Sequence, residues 1–107
     1  VRSKSERSLA DFFTERGVAF RYEAKLAING KVYYPDFMIL CDDGRILIWE
    51  HFGLMDKEEY FISACRKLEQ YRRAGYVQHS NLICTYEEDL RSGAVLEEIL
   101  LRYELYS

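Results

Sequence analysis

The sequence predicts an α/β domain built on a mixed four-stranded sheet flanked by helices. Two turn signals, Asn29-Gly30 and the Asp-Asp-Gly run at 42–44, separate three apolar segments and predict two hairpins. Amphipathic helical patterns precede these segments, follow them and close the chain, and a short apolar strand lies between the last two helices. A strand that arrives through a helical crossover joins its sheet in parallel. The predicted core order is therefore αβββαβ, followed by a last helix.

The first half of the chain supplies a helix and the three antiparallel strands. The helix is predicted over residues 3–17, because Ser3 and Glu6 have capping-box spacing and Gly17 ends the apolar stripe. Pro35 cannot donate a ladder hydrogen bond, so a bulge or a local edge is expected there. The three strands are predicted at residues 18–28, 31–41 and 45–50, and residues 51–55 are predicted to be a loop.

The second half begins with another capping box, Asp56 with Glu59, which predicts a helix that ends near Gly75. Its predicted core stripe is Phe61, Ala64, Cys65, Leu68 and Tyr71. A strand at 81–86, a polar loop at 87–93 and an amphipathic helix complete the chain. Both faces of the central strands are apolar, so helices should cover both.

Length and composition limit the class of protein. The chain of 107 residues suits one domain, and we expect it to be excised from a longer protein because it opens on Val1. No apolar run approaches the ~20 residues of a membrane span, and no signal peptide is visible, which predicts a cytoplasmic protein without membrane partners. The three cysteines, Cys41, Cys65 and Cys84, are predicted to be reduced core residues. The net charge of −3 argues against a general nucleic-acid coat but allows an enzyme that binds nucleic acid locally.

Two acids interrupt the apolar strands. A three-residue loop at 42–44 pairs Cys41 with Arg45, and counting back along both strands sets Asp36 opposite Glu50. Facing carboxylates repel unless a cation lies between them, so this pair predicts a divalent metal site. A slip of one residue would instead place Asp36 opposite His51.

Three further polar residues are candidates for the same site. Glu6 lies on the apolar face of the first helix, although it could equally satisfy the end of that helix. Lys67 lies at the edge of the second helical stripe, and its alternative is a solvated lysine beside the core. His51 follows the second acid and could contact metal, water or phosphate, or could hydrogen-bond within a loop. Three carboxylates and an ammonium suit metal-assisted phosphodiester hydrolysis.

This arrangement resembles the PD-(D/E)XK nuclease superfamily, which has the restriction-endonuclease-like fold. The resemblance rests on the αβββαβ order, the literal Pro35-Asp36, and Glu50 at the end of the next strand. It implies that Asp36, Glu50 and the first-helix Glu6 bind Mg²⁺, with Mn²⁺ as a substitute. The family lysine lies two residues after the second acid, where this chain has Phe52. Some members carry that lysine on the following helix, and Lys67 is at such a position.

The resemblance also implies a function. The W-E-H-F-G run and the downstream R-K-x-x-x-Y are similar to a bacterial branch found as a module within larger DNA-processing proteins, including helicases. We therefore expect a Mg²⁺-dependent deoxyribonuclease domain with DNA as its substrate, RNA being left open, whose partners are the other domains of a repair or recombination protein. One alternative is a catalytically reduced nuclease fold that binds DNA or acts as a scaffold. The other is a small α/β interaction domain with fortuitous acids.

Overall fold

The structure is a computed structural model that describes residues 3–105 of the chain. The helices of this part are α1 (Lys4–Glu15), α2 (Glu58–Arg73), α3 (Gly93–Arg102) and a short 3₁₀ helix (Glu87–Leu90). The strands are β1 (Phe20–Tyr22), β2 (Leu26–Ile28), β3 (Lys31–Tyr33), β4 (Phe37–Leu40), β5 (Ile46–Phe52) and β6 (Leu82–Tyr86). None of the helices within residues 3–105 is long and apolar enough to cross a bilayer.

The central sheet has four strands in the order β1-β4-β5-β6. Strands β1 and β5 are antiparallel to β4, whereas β6 is parallel to β5, which it reaches through the α2 crossover. The predicted mixed sheet between helices is therefore confirmed. The register between β4 and β5 pairs Phe37 with Trp49 and Leu40 with Ile46. This is the predicted alignment rather than the one-residue slip, and it fixes which side chains share a face.

Helices cover both faces of this sheet, as predicted. On one face α1 and α3 pack on the odd-numbered residues of β4 and β5, and Phe13, Phe37 and Trp49 are fully buried there. On the other face α2 packs on Ile48 through Tyr71, which is also fully buried. Burying both faces removes the apolar side chains of a nearly continuous hydrophobic strand from water.

The predicted strands at 18–28 and 31–41 are each broken in two, so their boundaries were wrong. Glu23 has a positive φ of 49°, which ends β1, and the chain around Pro35 leaves the ladder between β3 and β4. The outer pieces, β2 and β3, form a separate two-stranded hairpin across Asn29-Gly30. Both turn residues have positive φ, as the Asn-Gly signal predicts. The hairpin packs Leu26 and Tyr33 against the α2 side of the core.

Other boundaries differ at β5 and α2. Strand β5 continues through His51 and Phe52, which were predicted to lie in a loop, because both residues pair with β6. Helix α2 begins at Glu58, and its N-cap is Lys57 without a side-chain cap bond, so the capping box predicted at Asp56 is not formed. Cys65 and Phe61 are exposed rather than in the core. The three cysteines are free, and only Cys41 and Cys84 are partly buried.

Candidate active site

A cleft of about 150 Å³ opens where the ends of β4 and β5 meet α1 and α2. The five side chains singled out in the sequence all line it. Its lining consists of Glu6, Asp36, Glu50, His51, Phe52, Tyr60, Ser63, Ala64 and Lys67. Three separate parts of the chain, α1, the β4–β5 hairpin and α2, therefore converge on one small volume.

The Asp36 and Glu50 carboxylates each accept a hydrogen bond from a backbone N–H beside the other acid. The Asp36 N–H donates to Glu50 Oε2 at 2.7 Å, and the His51 N–H donates to Asp36 Oδ2 at 2.9 Å. Each carboxylate thus takes a main-chain donor that the ladder leaves free at the point where β4 begins. A hydrogen bond to the charged form offsets part of the repulsion between the two acids.

Lys67 supplies the cation that facing carboxylates require. Its ammonium forms an ion pair with Glu50 Oε1, and the Tyr71 hydroxyl donates to Glu50 Oε2 at 3.2 Å. Glu50 is only 1% exposed, whereas the Lys67 side chain is 36% exposed. Lys67 therefore reaches from the rim of the cleft to a buried carboxylate, and it is not a solvated helix-surface lysine.

Burial dominates the electrostatics of both acids. Burial, and then the charge of Asp36, raise the pKa of Glu50 to about 7, although the Lys67 ammonium opposes this. Burial also raises the pKa of Asp36, against the His51 N–H and Lys67. For Lys67, burial favours the neutral amine, but Glu50 and then Asp36 together outweigh burial, and the pKa rises. A carboxyl with a pKa near neutrality gives up its proton readily to a binding cation.

Glu6 reaches the same cleft from α1. Ser3 is the N-cap of that helix and accepts a hydrogen bond from the Glu6 N–H at 3.1 Å, so half of the predicted capping box is present. The Glu6 carboxylate instead accepts a hydrogen bond from the Tyr22 hydroxyl at 2.6 Å. Its charge also contributes to the raised pKa of Asp36, which places the two acids within electrostatic reach of each other.

His51 and Phe52 end β5 at the edge of the cleft. The His51 ring is buried, with Nδ1 2.9 Å from Thr85 Oγ1 and Nε2 2.9 Å from Glu87 Oε1. Phe52, at the position where the resembling family has lysine, is also buried and packs against Tyr86 with ring centroids 6.0 Å apart. The position two residues after Glu50 therefore contributes packing and no charge. The ammonium that pairs with Glu50 comes from Lys67 on α2.

The donor chemistry of the cleft suits a hard divalent cation such as Mg²⁺, because three carboxylates line it. Within the same residues, no group of three or more His, Cys, Asp and Glu side chains is already arranged to hold a metal ion. The Lys67 ammonium occupies Glu50 Oε1. Metal binding to both oxygens of Glu50 therefore requires this ion pair to open.

Two polar side chains of the cleft were not among the predicted site residues. Tyr60 accepts a hydrogen bond from the Gly53 N–H at 3.1 Å, and Ser63 lies beside it on the cleft wall. Helical spacing could have indicated them, because Tyr60 and Ser63 lie seven and four residues before Lys67. Together these three residues give α2 a polar stripe that faces the acids.

No protein-family model matches the chain. A segment of 60 residues, 56% of this chain, is 35% identical to Uncharacterized protein MJ1519 of Methanocaldococcus jannaschii. The matched segment spans 5% of that protein's length, and its name states no activity. The similarity therefore places a related segment within a much longer protein.

Proposed function

We propose that this chain is a Mg²⁺-dependent nuclease domain that hydrolyses DNA phosphodiester bonds and works within a larger DNA-processing protein. The observation that carries the proposal is the convergence of Glu6, Asp36, Glu50 and Lys67 on one cleft. Structural ion pairs of this kind exist in proteins without catalytic function, but they seldom gather three acids at a cleft from separate elements. The match within a much longer protein agrees with a modular role, and a DNA substrate in turn suits a cytoplasmic location.

The acids would hold the cation. Asp36 and Glu50 would be its ligands, with Glu6 approaching from α1, and Mn²⁺ would substitute for Mg²⁺. When bound, such a cation offsets charge on phosphate oxygens and lowers the pKa of a bound water. The backbone hydrogen bonds between Asp36 and Glu50 keep both carboxylates in place without long flexible contacts. These two carboxylates are thus held in position before any ligand arrives.

Lys67 would act on the phosphate. Its ammonium is ion-paired with Glu50 Oε1, and its side chain projects from α2. If a cation bound to Glu50, this ion pair would break and the ammonium could move toward the cleft. A positive charge there would stabilise the additional negative charge of the transition state. This assigns to Lys67 the role that the family lysine would have at Phe52. In this protein the same residue then serves as counter-ion at rest and as electrostatic catalyst in the reaction.

The test compares Lys67 of α2 with Lys57, the N-cap of the same helix. Lys67→Ala should lower the rate of Mg²⁺-dependent DNA cleavage by roughly 10² to 10³. Its Mn²⁺ affinity should stay the same or rise, since the competing ammonium is gone. The control is Lys57→Ala, which removes an exposed lysine at the N-cap of the same helix and should change the rate little. Cleavage that persists in Lys67→Ala would reject this role for the lysine while leaving a nuclease.

A second candidate is a catalytically reduced nuclease fold that binds DNA or acts as a scaffold. The specific observation in its favour is Phe52, a buried aromatic residue at the position of the family lysine. The wild-type domain should be incubated with single-stranded, duplex and branched DNA in Mg²⁺ and in Mn²⁺. Tight binding without cleavage of any of them would favour this candidate over the nuclease.

A further inference from the structure

A line of hydrogen bonds runs beside the cleft and connects β5 to α1. The Trp49 indole N–H donates to Thr85 Oγ1 at 3.0 Å, and Thr85 Oγ1 lies 2.9 Å from His51 Nδ1. His51 Nε2 lies 2.9 Å from Glu87 Oε1, and the Ser5 hydroxyl donates to the same oxygen at 2.6 Å. Four parts of the chain, α1, β5, β6 and the 3₁₀ helix, thus meet through polar contacts.

The donors along this line have a consistent direction. An indole nitrogen can only donate, so Thr85 Oγ1 accepts from Trp49 and keeps its own hydrogen for His51 Nδ1. In the neutral ring, Nε2 then carries the hydrogen and donates to the Glu87 carboxylate. A fixed tautomer and a fixed ring plane follow for His51. Glu87 is therefore the common acceptor at which the line from the sheet and the line from α1 meet.

The surroundings keep this line in place. Thr85 is fully buried and His51 is only 4% exposed, so neither side chain can exchange its partner for bulk water. A β-carbon on Gly53 would lie 2.9 Å from Glu87 Oε1, so a side chain at that position would require the half-exposed Glu87 carboxylate to shift. The hydrogen bonds from Ser5 and His51 also lower the pKa of Glu87.

Two members of the line, His51 and Ser5, adjoin acids of the cleft. The His51 backbone N–H donates to Asp36 Oδ2, and Ser5 directly precedes Glu6 on α1. We propose that Glu87 is a positioning residue that, through His51 and Ser5, sets the distance between the Asp36 and Glu6 carboxylates for a divalent cation. The inference rests on the proposed function, because it assigns the organisation of the same site. Glu87 itself contacts neither acid.

Metal affinity in the intact chain, measured by calorimetric titration with Mn²⁺, tests the proposal without relying on cleavage. Loss of a residue that orients metal ligands typically weakens metal binding 10- to 100-fold, and we expect this range for Glu87→Ala. Glu87→Gln should stay within roughly threefold of wild type, because its amide oxygen can still accept from Ser5 and His51. Glu88→Gln, which removes a charge from the adjacent exposed residue, should leave the affinity unchanged.

Gly53→Ala displaces the Glu87 carboxylate without changing any charge, and it should also weaken Mn²⁺ binding. Wild-type affinity in both Glu87→Ala and Gly53→Ala would overturn the positioning role and leave the metal site standing. A wild-type protein that binds no Mn²⁺ would overturn the proposed function and this inference together. Equal weakening in Glu87→Gln and Glu87→Ala would also contradict it, since rescue by the amide is the expected sign of positioning.

The fluorescence of Trp49, the one tryptophan in the sequence, reports whether β5 and β6 remain packed in each variant. If Glu87→Ala does not fold, Ser5→Ala decides, because it removes only the α1 end of the line. Loss of one such hydrogen bond should weaken Mn²⁺ binding roughly fivefold. An unchanged affinity in a folded Ser5→Ala would overturn the proposal.

Discussion

The two faces of the central sheet are packed in different ways. On the α1 and α3 face the contacts are almost all apolar, and Phe13 lies 4.8 Å from Trp49 and 5.2 Å from Phe37 between ring centroids. On the α2 face the buried apolar cluster within residues 3–105 is smaller and consists of Ile48, Tyr71 and Leu82. The Tyr71 hydroxyl there turns to the buried Glu50 carboxylate.

This difference separates a face that stabilises the fold from the face that holds the candidate site. The aromatic edge-to-face contacts of the first face add to the free energy of burial without any polar cost. The second face buries a carboxylate whose desolvation must be offset by Lys67, Tyr71 and a backbone N–H. We therefore expect the packing on the α1 and α3 face to offset the stability that the buried carboxylate costs on the α2 face.

The largest expected effect comes from a substitution that disrupts packing on the α1 and α3 face. Phe13→Ala should lower the free energy of unfolding by about 3 to 5 kcal/mol, because it empties the centre of the aromatic cluster. Urea denaturation measures this, and any folded fraction should keep its Mn²⁺ affinity. The matched control is Phe12→Ala, which removes a half-buried neighbouring ring that stacks on Arg16 and should cost clearly less. Equal losses in the two variants would contradict the division between the faces.

A smaller effect concerns the proposed metal site in the cleft. Binding to the folded state alone raises stability, by about 2.7 kcal/mol at a metal concentration 100 times Kd. Asp36→Asn should remove most of this increment, measured as the rise in Tm with Mn²⁺ or Mg²⁺. The metal-free variant should be at least as stable as wild type, since the amide oxygen can still accept the His51 N–H. An increment that survives intact would place the metal elsewhere.

The smallest expected effect concerns how much stability the buried Glu50 carboxylate costs on the α2 face. Because burial raises the folded-state pKa of Glu50 to about 7, the folded state retains a proton that the unfolded state releases between about pH 4.5 and 7. Stability from this group therefore falls as pH rises through that window. Glu50→Gln should stabilise the metal-free protein at pH 8 by on the order of 1 kcal/mol and change it little at pH 4.5.

Thermal unfolding at the two pH values measures this difference. The amide oxygen of the variant can still accept from the Asp36 N–H and the Tyr71 hydroxyl, so the variant loses the charge of Glu50 and its ion pair with Lys67 but keeps these hydrogen bonds. Glu98→Gln, on the exposed side of α3, controls for the change in net charge. A gain of the same size at both pH values would show that the charge of Glu50 costs the fold nothing.

Local sequence signals were sufficient for much of this fold. Both hairpin turns depend on positive φ angles that their own residues favour. These residues are Asn29 and Gly30 in the first turn and Gly44, with a φ of 90°, in the second. The second turn then sets the β4–β5 register, and the register sets Asp36 opposite Glu50 before any tertiary contact is known. Helix existence followed from apolar spacing, whereas helix ends did not, as Lys57 in place of Asp56 at the α2 N-cap illustrates.

Tertiary structure decided what these elements pair with. Strand β5 runs on through His51 and Phe52 because β6 offers them partners, and no local preference signals that. Lys67 is tied to Glu50 by the packing of α2, and the Glu87 carboxylate joins residues more than thirty positions away. By itself the sequence determined the turns, the β4–β5 register and five of the polar residues that line the cleft. Only the packed fold decided which carboxylate receives which donor, because such contacts depend on elements far apart in the chain.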